Sequence, residues 1–134
     1  MKVIRYQTAQ GDVHHASLQP DGTAFEITGD LFGTFQVTTR LVDPHKLLAP
    51  VAPVNILGIG LNYRRHAAEG NVPVPERPIL FMKATTAVQN PGDPIVLPRH
   101  LRSDEVDYEC ELAVVIGRRC RNVSRENARD NVLG

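Results

Sequence analysis

The chain predicts an α+β protein in which β structure predominates, organised as a small N-terminal β module over residues 1–50 followed by a second, incomplete domain over residues 54–134. Three observations carry that expectation. Ten prolines and ten glycines punctuate 134 residues, and aromatic residues are only 5% of the total, the composition of short strands joined by tight turns. The apolar run Val54–Gly60 is compact, bounded by glycine and too short for a helix. The third is the stretch Val106-Asp107-Tyr108-Glu109-Cys110-Glu111-Leu112-Ala113-Val114-Val115-Ile116-Gly117, which alternates as a strand does.

From the N-terminus, Lys2–Tyr6 and Val13–Leu18 read as strands separated by the turn composition Ala9-Gln10-Gly11-Asp12. Pro20-Asp21-Gly22 makes a second turn: proline presets φ, aspartate bonds its own backbone, and glycine accepts positive φ. Ala24–Ile27 and Phe35–Leu41 supply two more strands, and residues 42–53, with Pro44, Pro50 and Pro53, read as a connector. Nothing in this module looks catalytic. His14 and His15 are adjacent on one strand and so face opposite ways, which prevents them from clamping one metal ion together.

Val54–Gly60 is an apolar run bounded by glycine and reads as a buried strand. A two-turn helix follows, with Asn62 as the N-cap and Gly70 as the stop. Gly58 and Gly60 do not extend to a dinucleotide-binding fingerprint, because Tyr63 stands where its third glycine belongs and no βαβ repeat follows. Residues 70–78, with Pro73, Pro75 and Pro78, form an irregular surface segment that could act as a cover over a site formed by the helix. Ile79–Lys83 and Ile95–Pro98 read as further strands flanking the turn Pro91–Pro94. Beyond the alternating stretch, residues 117–123 form a turn and Ser124 caps a helix through Val132. The chain stops directly after that helix, the mark of a fragment.

Within the alternating stretch, one side is apolar throughout and carries Cys110 as a small buried residue. The opposite side begins with Asp107, Glu109 and Glu111. Two carboxylates one pleat repeat apart are costly to bury unless a cation joins them or one holds a proton. A hard dication such as Mg2+ or Mn2+ suits such oxygen donors; a solvated strand start paired with arginines is the competing explanation. His66 and Glu69 lie three apart on one helix face. A carboxylate beside an imidazole fixes its tautomer and makes it a better base, although an ordinary surface pair has the same spacing. Lys83 either meets an anionic substrate or counters the acids.

Composition excludes several classes. Fifteen basic and fifteen acidic residues cancel, which leaves no basic footprint for nucleic acid and no polybasic membrane anchor. No apolar run approaches membrane-spanning length and no leader pattern opens the chain. Two cysteines, ten residues apart, lack metal-ligand spacing, in keeping with a reducing, cytoplasmic setting.

Several segments in order resemble the fumarylacetoacetate hydrolase family: Gly60-Leu61-Asn62-Tyr63-Arg64-Arg65-His66-Ala67-Ala68-Glu69, Pro78–Lys83, Pro91–Pro98, and Asp107–Gly117, followed by Asn127-Ala128. The resemblance covers residues 54–134, and residues 1–50 look like the small module that precedes this domain in many bacterial members. It implies a mixed β-roll domain, a divalent metal (Mg2+ or Mn2+, or Ca2+), and a likeness to enzymes of aromatic catabolism that act on 2-oxo or 2,4-dioxo acids. By that resemblance Glu109 and Glu111 match two of three carboxylate metal ligands, and His66 and Glu69 match an acid–base dyad. The third ligand, an aspartate, falls beyond Gly134. The activity implied first is hydrolysis of a carbon–carbon bond in acylpyruvate-type acids. Isomerisation of 2-hydroxyhepta-2,4-diene-1,7-dioate, decarboxylation of oxaloacetate, or a non-catalytic fragment are the alternatives, and a homodimer is expected of the complete protein.

Overall fold

A computed structural model describes residues 1–134. Its strands form two antiparallel sheets. The first contains β1 (Lys2–Gln7), β2 (Val13–Leu18), β3 (Ala24–Gly29), β4 (Phe35–Leu41) and β5 (Lys46–Leu48) in the order β4-β3-β2-β1-β5. Four strands follow one another as a meander. The chain then returns, and β5 pairs with the free edge of β1, with Arg5 opposite Leu48 and Gln7 opposite Lys46.

Turn chemistry fixes this register. At Gln19–Thr23, Gly22 has φ of 89° and the Asp21 carboxylate accepts hydrogen bonds from the Thr23 amide (3.0 Å) and hydroxyl (2.7 Å). Both bonds favour the ionised form, so the Asp21 pKa is lowered. This turn sets Leu18 opposite Ala24, and the turn at Thr8–Asp12 sets Ile4 opposite Ala16. Ile4, Tyr6, Ala16 and Ala24 thereby form the core cluster, with Leu18 and Val42 packed against it. Burial raises the Tyr6 phenol pKa, with Glu26 adding to the effect.

Burial is very unevenly distributed along the chain. Nine residues are buried, and eight of them (Ile4, Tyr6, Ala16, Ser17, Ala24, Ile27, Leu31 and Ala49) lie in the first fifty. Ala67 is the ninth. The hydrophobic effect therefore stabilises residues 1–50 as a unit, while the rest of the chain exposes much of its apolar surface.

The second sheet is the hairpin-like pair β6 (Ile56–Gly60) and β7 (Ile79–Lys83), with Gly58 opposite Phe81. The Phe81 ring lies where a Gly58 Cβ would stand, so glycine there lets the ring pack over the strand. Between these strands sits α1 (Arg64–Glu69). A 3-10 turn spans Thr85–Ala87 and another spans Ala128–Asn131.

Several sequence expectations are corrected, among them that β6 is buried, for Leu57 on it is 58% exposed. Residues 106–117 form no strand; only Ile116 makes a β-bridge, with Val132. The alternation is present, but no other strand of the chain runs alongside to complete a hydrogen-bonded ladder, and Tyr108 is 92% exposed. Ile95–Pro98 likewise forms none. Cys110 is exposed rather than buried, since the apolar side on which it lies has nothing packed over it. The segment after Ser124 makes turns and a 3-10 helix instead of an α-helix, in keeping with the modest helix propensity of Asn127, Asp130 and Asn131. The connector contains β5, whose short run is hidden in sequence by the prolines around it.

Polar contacts tie β5 and Ala49 to the turn at Asn90–Asp93, beyond β7. Lys46 Nζ on β5 lies 2.8 Å from Asp93 Oδ1, Asn90 Nδ2 donates to Asp93 Oδ2 at 2.9 Å, and the Ala49 amide donates to Asn90 Oδ1 at 3.0 Å. Lys46 and then Asn90 hold the Asp93 pKa below the ordinary carboxylate value.

Candidate functional site

The site is built where β6 ends. Leu61 adopts φ of 51°, the left-handed region, which a bulky side chain seldom occupies. The chain turns sharply there, and Tyr63, extended at φ −103° and ψ 126°, becomes the N-cap of α1 in place of Asn62. Ala67 anchors the helix, being 1% exposed. Gly70 ends it, and its amide donates to the His66 carbonyl at 3.3 Å.

His66 and Glu69 both lie on α1 and are both exposed. The carboxylate near the imidazole comes from elsewhere in the chain: His66 Nδ1 is 4.0 Å from Glu109 Oε1. That separation allows charge attraction but is too long for a hydrogen bond. Glu69 makes no ion pair or hydrogen bond with His66. Three residues past Glu109, the Leu112 amide donates to the Tyr63 hydroxyl at 2.9 Å. The structure thus brings residues 109–112 alongside the start of α1, although they are more than forty positions away in sequence.

Both members of the His66–Glu109 pair are about half exposed, with side-chain exposures of 52% and 58%. Solvent therefore screens their attraction. Glu111 is exposed and has no ion-pair partner, and Asp107 Oδ1 accepts only from the neighbouring Tyr108 amide, at 2.8 Å. No arginine pairs with these acids. Lys83 does not counter them either; its ammonium lies 5.9 Å from the centre of the Phe81 ring. The proline-rich segment lines a shallow cavity of about 180 Å³ with Ile59–Asn62, and His66 is not part of that lining.

As donors, the carboxylates of Glu109 and Glu111 suit a hard dication. Their number falls short of a complete site, because no three His, Cys, Asp or Glu side chains gather closely enough to hold a metal. By donor chemistry alone, two such carboxylates would supply only part of the shell of Mg2+, Mn2+ or Ca2+.

Sequence reasoning missed Tyr63. The only signal was its position, directly before the helix and three residues ahead of His66; its partner is a backbone amide, which a sequence does not single out.

Comparison with known proteins gives the family of the chain. Residues 55–134 match the family described as fumarylacetoacetate (FAA) hydrolase C-terminal, and residues 1–50 match a domain described as Rv2993c-like, N-terminal. Over 89 residues the chain is 48% identical to an oxaloacetate tautomerase, fahd2, of Xenopus laevis, covering 66% of this chain and 27% of that protein. It is 48% identical over 79 residues to a 2,4-didehydro-3-deoxy-L-rhamnonate hydrolase of a Sphingomonas species, covering 59% of this chain and 27% of that protein. The crystal structure of a 5-carboxymethyl-2-hydroxymuconate delta-isomerase from Mycobacterium smegmatis superposes with a TM-score of 0.80 at 36% identity, covering all of this chain and 52% of that one. The chain thus spans about half the length, or less, of the proteins it matches. With the family match extending over most of its residues, the chain belongs to the fumarylacetoacetate hydrolase family.

Proposed function

We propose that the protein containing this chain acts on a small 2-oxo or 2,4-dioxo acid with the help of a divalent metal, and that its chemistry is proton transfer next to the 2-oxo group. The observation that carries this reading is the approach of His66 to Glu109 across more than forty residues of sequence. It puts a base beside one of two carboxylates suited to a hard cation. Glu109 and Glu111 would hold Mg2+ or Mn2+, with the remaining ligands coming from outside this set. When bound, the metal supplies Lewis-acid stabilisation of negative charge on the substrate oxygens.

His66 takes a proton from the carbon next to the oxo group through its imidazole and returns it at another position. Glu69, one helical turn away on the same face, is the proposed orienting carboxylate for that imidazole. Tyr63 and Ala67 hold the helix so that the ring lies near Glu109. Isomerisation or tautomerisation of an enol acid is the outcome favoured first, because two of the solved structures that superpose over the whole chain, both modules included, are those of isomerases. Hydrolysis of a carbon–carbon bond in an acylpyruvate is the second reading, supported by the 48% identity to a hydrolase. There His66 would activate water instead. A homodimer and a cytoplasmic setting complete the proposal.

The test is His66→Ala in the full-length protein. Turnover of oxaloacetate, enol acids or acylpyruvates should fall by about 10²- to 10⁴-fold, the usual contribution of a positioned acid or base, while Mn2+ affinity stays near that of the parent. Undiminished turnover would remove His66 from the chemistry.

A further inference from the structure

We infer that Tyr63 is a positioning residue, fastening the carboxylate-bearing segment to the helix that carries His66. The inference rests on the reading of Glu109, Glu111 and His66 given above and adds the element that makes their approach possible.

Residues 99–114 have very few ties to the rest of the chain. Their hydrogen bonds are otherwise local: Arg102 to Asp104, the Glu105 amide to Ser103, and the Tyr108 amide to Asp107. Backbone bonds to a distant segment resume only at Val115, which bonds Leu133 and Gly134. Between those limits, two side chains of the Tyr63–His66 turn make the long-range polar contacts. The Tyr63 hydroxyl accepts from the Leu112 amide at 2.9 Å, and His66 Nδ1 approaches Glu109 Oε1 at 4.0 Å.

These two contacts differ in strength. The His66–Glu109 pair is half exposed and beyond hydrogen-bond length, so it holds little by itself. The Tyr63 bond has ordinary hydrogen-bond length and joins a ring of limited rotamer freedom to a backbone amide. It fixes the backbone one residue beyond Glu111 and three beyond Glu109, which limits where both carboxylates can go. The left-handed Leu61 and the extended Tyr63 aim that hydroxyl away from β6 and towards the segment. Backbone in a seldom-populated conformation is often found where a side chain must be aimed. Tyr63 touches neither a metal nor a reacting atom in this arrangement; it acts through the segment that it holds.

Tyr63→Phe removes the hydroxyl and keeps the ring. The experiment uses the isotope-labelled full-length protein, with two readouts. Amide hydrogen exchange at Leu112 should become about fivefold faster, the effect of losing one ordinary hydrogen bond, while amides of β1–β4 keep their rates and report an intact module. Mn2+ should broaden the His66 ring protons together with the Glu109 and Glu111 amides in the parent. In Tyr63→Phe the broadening at the ring should fall relative to that at the two amides, a change that a purely structural loss would not single out. Unchanged exchange at Leu112 overturns the inference, whatever the metal does. Faster exchange at Leu112, with no Mn2+ broadening in the parent, supports the fastening by Tyr63 and overturns the metal reading instead.

Discussion

Replacing Ile4 by alanine tests where the stability of this chain resides. Ile4 is 9% exposed and packs with Tyr6, Ala16 and Ala24, with Leu18 and Val42 at the margin of the cluster. The substitution deletes three carbons, worth about 0.8 kcal/mol each in transfer free energy, or about 2.4 kcal/mol together. A residual cavity adds to this, while the location of Ile4 at the margin of burial keeps the total near the lower end of the 2–5 kcal/mol usual for such truncations. A unit of some fifty residues has roughly 2.5–7.5 kcal/mol of stability in all. Ile4→Ala should therefore lower the thermal midpoint of the module by about 10–20 °C, or unfold it outright. Thermal melts followed by far-UV circular dichroism, with Leu80→Ala as the control, read the effect. Leu80 is 62% exposed on β7, and its truncation should cost no more than about 0.5 kcal/mol. Equal shifts for the two variants would refute the claim that the core is confined to residues 1–50.

Two further predictions concern pH. The His15 pKa is lowered, first by burial and then by Arg5, which stands opposite it in the β1–β2 register, and by neighbouring His14; a hydrogen bond to Pro50 opposes them in part. A lowered folded-state value means that the neutral ring is favoured by folding. The contribution is present above the ordinary imidazole value of about 6.5 and declines as pH falls below it, so melts between about pH 7.5 and pH 5.5 should show a loss that His15→Gln abolishes. Asp93 behaves as carboxylates usually do: its lowered pKa gives a contribution present above about pH 4 that is lost as pH falls through the folded value. Lys46→Met should reduce that dependence, leaving the smaller part due to Asn90, and speed amide exchange at Ala49, whose acceptor Asn90 is oriented by Asp93.

Much of the N-terminal sheet could be read from the sequence because its signals are local. Pro20-Asp21-Gly22 forms the turn its chemistry dictates, and β2 and β4 have the limits that alternation sets. The strand β5 escaped notice because it consists of three residues whose pairing with β1 is non-local. Likewise Val106–Gly117 has a strand's alternation, but a strand also needs a neighbour, and sequence pattern does not say whether one is present. Of the candidate site, the residue types and the short helix were legible. That His66 lies near Glu109, and that Tyr63 ties down Leu112, depends on the left-handed turn at Leu61, a backbone choice that leucine does not announce.

The central claim is that Glu109 and Glu111 serve one bound dication beside His66. Calorimetric titration of the full-length protein with Mn2+ tests it most directly. Glu109→Gln and Glu111→Gln should each weaken binding by at least about tenfold, the lower bound seen even for groups that only support metal ligands, while His66→Ala leaves affinity unchanged. Parental Mn2+ affinity in both glutamine variants would contradict the account.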